Sequence, residues 1–164
     1  MITAGITSVY LTGSELTVNK PRVIVTSARG VLNYIMRHFC EPGVSEYPEE
    51  SDSYAVISIQ DTKDGGFGYE LKENRYCKAV LTVYFDDIDK PHPGLKMMSH
   101  SQAEEIVEFI RTHSENVDTL LIHCFAGISR SAAVGMIASK ILGQTSDKPE
   151  YYNRYVYEEL LKCL

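Results

Sequence analysis

Four short runs of β-branched and apolar residues, separated by stretches of helical periodicity, constrain this 164-residue chain more than any other feature. The runs are residues 23–27, 54–59, 79–85 and 119–123, and none shows the strict apolar/polar alternation of a half-solvated strand. Strands of this kind need cover on both faces, which intervening helices supply. The expected fold class is therefore α/β, a central mostly parallel sheet flanked by helices. Residues 31–39 have helical spacing through Val31, Leu32, Ile35, Met36 and Phe39. Ser101 and Glu104 have capping-box spacing ahead of a stripe of Ala103, Ile106, Val107 and Ile110. A small-residue helix over 131–142 can close at Gly143, and Pro149 can open a last helix carrying Tyr152, Tyr155, Val156 and Leu160. Residues 41–53, 64–68 and 86–93 read as loops from their prolines, glycines and acids. The length favours a single domain over 1–164.

Composition narrows the function classes. The chain is 44% hydrophobic, with 16 basic against 22 acidic residues and a net charge of −6. That balance argues against nucleic-acid partners and against docking on anionic membrane. No run reaches the ~18 apolar residues of a membrane span. Residues 1–7 lack the basic and apolar regions of a secretory leader, so a cytoplasmic protein is expected. Cys40, Cys77, Cys124 and Cys163 form neither a paired-cysteine motif nor a metal-ligand cluster. They are expected to be reduced, with no metal and no cofactor.

One segment carries chemistry. Residues 123–131 read HCFAGISRS, at the junction of a buried strand and a small-residue helix. Between Cys124 and Arg130 stand Phe125, Ala126, Gly127, Ile128 and Ser129, a loop short enough for successive N–H groups to converge as an anion nest. The following helix turns its positive end toward the same centre, and Arg130 adds a planar fork for two oxygens. A thiol in such a cradle is favoured as thiolate and lies under the phosphorus of a bound phosphate. Ser131 can donate a hydrogen bond to the sulfur, while His123 buttresses the loop.

The pattern H-C-x-x-G-x-x-R-S, with its C-x5-R core, resembles the signature of the cysteine-dependent protein tyrosine phosphatase superfamily, most closely its compact dual-specificity branch of bacterial and viral type. The resemblance implies a tyrosine-phosphatase-like fold and a monomeric, cofactor-free hydrolase. Cys124 would be the nucleophile, and residues 125–130, Arg130 foremost, would bind phosphate. It also implies an aspartate acid on the loop after the preceding strand, where Asp86, Asp87 and Asp89 stand. Setting the strand against the family pattern selects Asp87, with Asp89 and Asp86 as alternatives. Among relatives, a second cysteine can form a reversible disulfide with the nucleophile; Cys40 and Cys77 could be compared with it, but a lone buried thiol is far commoner and is the expectation for both. Lys72 to Tyr76 is similar to a recognition loop of larger relatives but stands in the wrong order. Gln144 could be compared with their water-positioning glutamine, but a single Gln after a helix carries little weight.

None of the variable positions Phe125, Ala126, Ile128 and Ser129 is basic, unlike the loops of relatives that cleave phosphoinositides. The expected partner is thus a phosphorylated protein or peptide, at phosphotyrosine or at phosphotyrosine together with phosphoserine/threonine. Hydrolysis of phosphoinositides or other small phosphate esters, and an inactive phosphotyrosine-binding module, are the rival readings.

Overall fold

The computed structural model describes residues 20–39, 51–146 and 148–164; Cys40 and residues 41–50 of the expected loop lie outside the described residues. The four apolar runs become β1 (Arg22–Ser27), β2 (Tyr54–Gln60), β3 (Cys77–Tyr84) and β4 (Thr119–Cys124). They pair in parallel, in the order β1-β4-β2-β3. Every residue of β2 and β4 is buried, which accounts for their unbroken apolar sequences.

Alternate side chains serve two cores. On one face Ala55, Ile57, Ile59, Leu120, Ile122 and Cys124 pack with buried residues of α2 (His100–His113), α3 (Arg130–Ile141) and α4 (Arg154–Leu161). On the other, Tyr54, Val56, Cys77 and Leu121 meet Val31 and Tyr34 of α1 (Ala28–Arg37). The helices that follow the neighbouring strands β1 and β4 thus leave to opposite faces, opening a crevice at the strands' carboxyl ends. No helix among the described residues is long and apolar enough to cross a membrane.

Element starts differ from the sequence expectation in three places. The capping box of α2 is Ser99 with Gln102, two residues ahead of the Ser101–Glu104 pair. Both registers have the required spacing, but Gln102 also donates from Nε2 to the Tyr84 carbonyl at 3.0 Å, so the earlier box ties the helix to the end of β3. The last helix begins at Arg154 under an Asn153 cap, not at Pro149. The Asn153 N–H donates to the Ser129 carbonyl at 3.2 Å, which pins this stretch to the loop between β4 and α3 instead of the helix. In α1 the Ser27 cap sets a register that buries Val31 and Tyr34 and leaves Met36 64% exposed. Gly143 follows α3 at φ +59°, as a C′ glycine should.

Candidate active site

Strand β4 delivers Cys124 into the crevice and α3 begins six residues later, so the intervening loop must turn within one cradle. Gly127 makes the turn possible. Its φ is +79°, and a Cβ there would stand 2.6 Å from the Ser27 nitrogen, against the backbone where β1 ends. The Gly127 N–H donates to the Cys124 Sγ at 3.3 Å, and the Ser131 Oγ lies 3.1 Å from the same sulfur. Cys124 is 1% exposed and Arg130 is 3% exposed, while Phe125 and Ile128 project outward. The loop therefore turns its backbone in and its apolar side chains out.

Arg130 is held by two groups. Its Nη1 donates to the Phe85 carbonyl at 2.7 Å, and its Nη2 pairs with Asp61 Oδ1 at 2.7 Å. Its buried Nε has no partner among the described residues. The N-cap position of α3 is Ser129, whose side chain makes no cap bond, so the first turn's N–H groups keep their pull on an anion. The Ser129 hydroxyl instead donates to Asp87 Oδ1 at 2.8 Å.

The three candidate acids have different surroundings. Asp86 is buried and accepts from the Thr62 N–H at 3.0 Å, the Thr62 hydroxyl at 2.5 Å and the Lys96 N–H at 2.7 Å. Burial alone would raise its carboxyl, but these donors outweigh it and hold the group below the usual carboxylate range. Asp87 is exposed and touches the loop after β4 through Ser129, and Asn153 Nδ2 donates to the same Oδ1 at 2.8 Å. Asp89 is exposed and lines, with Asp87, Ser129, Asn153 and Arg154, a groove of about 610 Å³.

His123 is fully buried on the α1 side of the sheet, its ring stacked near Tyr69 at 6.3 Å. Burial pushes its imidazole down to about 4, so it is neutral near pH 7 and buttresses the loop. Position settles two further residues. Cys77 opens β3 in register with Tyr54 and Thr119, while Cys124 ends β4 five residues farther on. That is about 16 Å along the strands, beyond the ~7 Å between Cα atoms that a disulfide spans. Burial pushes the Cys77 thiol up to about 11, and it is a core residue. Gln144 donates from Nε2 to the Pro21 carbonyl at 2.8 Å, tying the end of α3 to the start of β1, opposite the cradle. The Lys72 to Tyr76 stretch is a turn into β3, in which Asn74 Oδ1 accepts from the Tyr76 and Cys77 N–H groups.

Asp61 and Asn153 were not legible as site residues. Each stands far in sequence from the group it touches, and neither belongs to a local pattern. No group of three or more His, Cys, Asp or Glu side chains among the described residues is arranged to hold a metal ion.

No family model matches the chain. No curated protein matches it. Among solved structures it is similar to one described as "Crystal structure of Tk-PTP in the active form", with a TM-score of 0.48 and 22% identity, over 87% of this chain and 78% of that one.

Proposed function

We propose that the chain hydrolyses phosphate monoesters on protein or peptide tyrosine through a phosphocysteine at Cys124. The observation that carries this reading is the placement of the Cys124 sulfur at the mouth of α3, within 3.3 Å of the Gly127 N–H and 3.1 Å of the Ser131 hydroxyl. The substrate phosphate is bound by the loop N–H groups of 125–130 and by Arg130. The Cys124 thiolate attacks phosphorus; the S–P bond forms as the P–O bond to the phenol breaks. Asp87 delivers its proton to the departing oxygen. Both hydrogen bonds to Asp87 fall on Oδ1, so Oδ2 is the oxygen available to carry that proton. In the second step the Asp87 carboxylate takes a proton from water as that water attacks phosphorus. The S–P electron pair then returns to sulfur, eased by the Ser131 hydroxyl, and inorganic phosphate is released.

The rim favours an aromatic monoester. Phe125 is 64% and Ile128 60% exposed, and Phe67 lies beside Phe125 with ring centroids 5.5 Å apart. These side chains offer apolar contact to a phenyl ring and no cation for the further phosphates of an inositol lipid.

Hydrolysis of p-nitrophenyl phosphate in the presence of a chelator tests the reading. Wild-type turnover should persist, whereas Cys124→Ser should lose it and still bind inorganic phosphate. Turnover that survives Cys124→Ser, or that the chelator abolishes, would contradict it. Phosphotyrosine peptides should be preferred over phosphothreonine peptides and phosphoinositides in the same assay.

A further inference from the structure

Strands β2 and β3 pair in register up to their last residues, Gln60 opposite Tyr84, and the Phe85 N–H donates on to the Gln60 carbonyl at 3.1 Å. The same offset of 24 residues continues past the strands and brings Thr62 against Asp86. A buried carboxylate is costly unless its oxygens find donors, and those of Asp86 find three. Oδ1 accepts from the Thr62 N–H at 3.0 Å, and Oδ2 accepts from the Thr62 hydroxyl at 2.5 Å and the Lys96 N–H at 2.7 Å. The Asp86 N–H in turn donates to the Lys96 carbonyl at 2.7 Å. One residue thus closes the segment 87–95 at its neck and ties that neck to the end of β2.

Asp87 is the first residue beyond the neck, one peptide bond from the fixed Asp86 and well before Pro91 and Pro93. Its carboxylate meets Ser129 and Asn153, so the neck sets the end of the chain from which that side chain reaches across to the start of α3. A short side chain has little length to correct a misplaced backbone. A shift of ~1 Å in a reacting group can cost about a hundredfold in rate, even when its cause lies away from the chemistry.

We propose that Thr62 is a positioning residue for the reaction: acting through Asp86, it fixes the neck from which Asp87 reaches the departing oxygen. The proposal rests on the phosphatase reading with Asp87 as acid, and adds to it a residue from the loop after β2. Thr62→Val keeps the shape of the side chain and the charge of Asp86 and removes only the hydroxyl. Its kcat/KM for phenyl phosphate, whose phenol leaves poorly without a proton, should fall by about tenfold to a hundredfold. The loss on p-nitrophenyl phosphate should be smaller, about threefold, because that leaving group needs less help. Thr62→Ser restores the hydroxyl and should return the ratio of kcat/KM for the two esters to within about twofold of wild type. In an Asp87→Asn background Thr62→Val should cost phenyl phosphate no more than about twofold further, since the acid it places is gone. Circular dichroism and thermal midpoints report whether each variant is folded. Should Thr62→Val fail to fold, Asp86→Asn gives the same comparison, because the ratio between the two esters cancels any change in phosphate capture. Equal losses on both esters, a full further loss in the Asp87→Asn background, or a Thr62→Ser ratio as altered as that of Thr62→Val would overturn the proposal. If wild-type protein shows no turnover that depends on Cys124, the phosphatase reading falls and this proposal with it. If Asp87→Asn loses no more on phenyl phosphate than on p-nitrophenyl phosphate, Asp87 is not the acid and the proposal falls with that assignment. If both of these hold and Thr62→Val leaves the ratio unchanged, the proposal alone falls.

Discussion

Asp86 and Asp87 are adjacent and chemically identical, yet their surroundings give them different work. Asp86 has its oxygens filled by Thr62 and Lys96 and anchors the loop after β3. Asp87 stands outside that anchor, steadied on one oxygen by Ser129 and Asn153. A proton donor needs access and a free oxygen as well as a carboxyl group, and only Asp87 of this pair has them. Asp87→Asn should reduce kcat on a phosphotyrosine peptide by about 10²- to 10⁴-fold. Its effect on p-nitrophenyl phosphate, whose leaving group needs less help from a proton, should be smaller. Steady-state kinetics on both substrates checks this, and an unchanged kcat on the peptide would move the acid to Asp89.

At the scale of elements, the site is assembled by ends: the ends of β3 and β4, the start of α3, and the cap of α4. Asn153 shows how tightly cap and chemistry are joined. Its Oδ1 accepts from the Val156 N–H at 3.0 Å to start α4, while its Nδ2 donates to Asp87. Serine is an equally good cap but too short to span both contacts. Asn153→Ser should therefore stay within about 0.5 kcal/mol of wild-type stability while losing kcat. Denaturant unfolding and kinetics on the same protein separate the two effects; a loss of stability with full kcat would show that the Asp87 contact is idle. The strands were legible in the sequence because burial on both faces leaves unbroken apolar runs, as β2 and β4 show. The cradle was legible because C-x5-R is compact and sequential. Helix starts were less so, since two capping-box registers overlap at Ser99 and Ser101 and only the contact of Gln102 with β3 separates them. Asp61 escaped sequence reading because its partner, Arg130, stands on another element.

Across the whole molecule, the cradle is set into a core that resists protonation. His123 is neutral in the fold, with its imidazole pushed down to about 4 by burial, whereas an exposed histidine titrates near ~6.5. As pH falls below ~6.5 the unfolded chain takes up a proton that the folded chain refuses, so stability declines down to about pH 4, by on the order of 3 kcal/mol. Asp52 and Asp86 act over a lower range. Burial alone would raise both, but Asp52 accepts from Thr119, Tyr34, Arg22 and His38, Asp86 from Lys96 and Thr62, and both are held below the usual range. Their contribution is present above the unfolded carboxylate value of ~3.9 and is lost as pH drops through their folded values. Urea unfolding at pH 7, 5.5 and 4.5, in which the His123→Asn variant should lose distinctly less stability than wild type, checks the first of these steps. On the proposed function the net charge of −6 should have little say in capture, because the field that would bind phosphate is local to a helix end, the loop amides and Arg130.

On the proposed function, turnover passes through a covalent bond between phosphorus and the Cys124 sulfur. Ser131→Ala removes the hydroxyl 3.1 Å from the sulfur, and so should slow the thiolate's departure more than its attack. Ser131→Ala protein mixed with p-nitrophenyl phosphate, quenched in acid within a turnover and mapped by mass spectrometry, should carry one phosphoryl group on the peptide containing Cys124. A phosphoryl group on any other residue, or nitrophenol release with no phosphoenzyme at any quench time, would contradict the account.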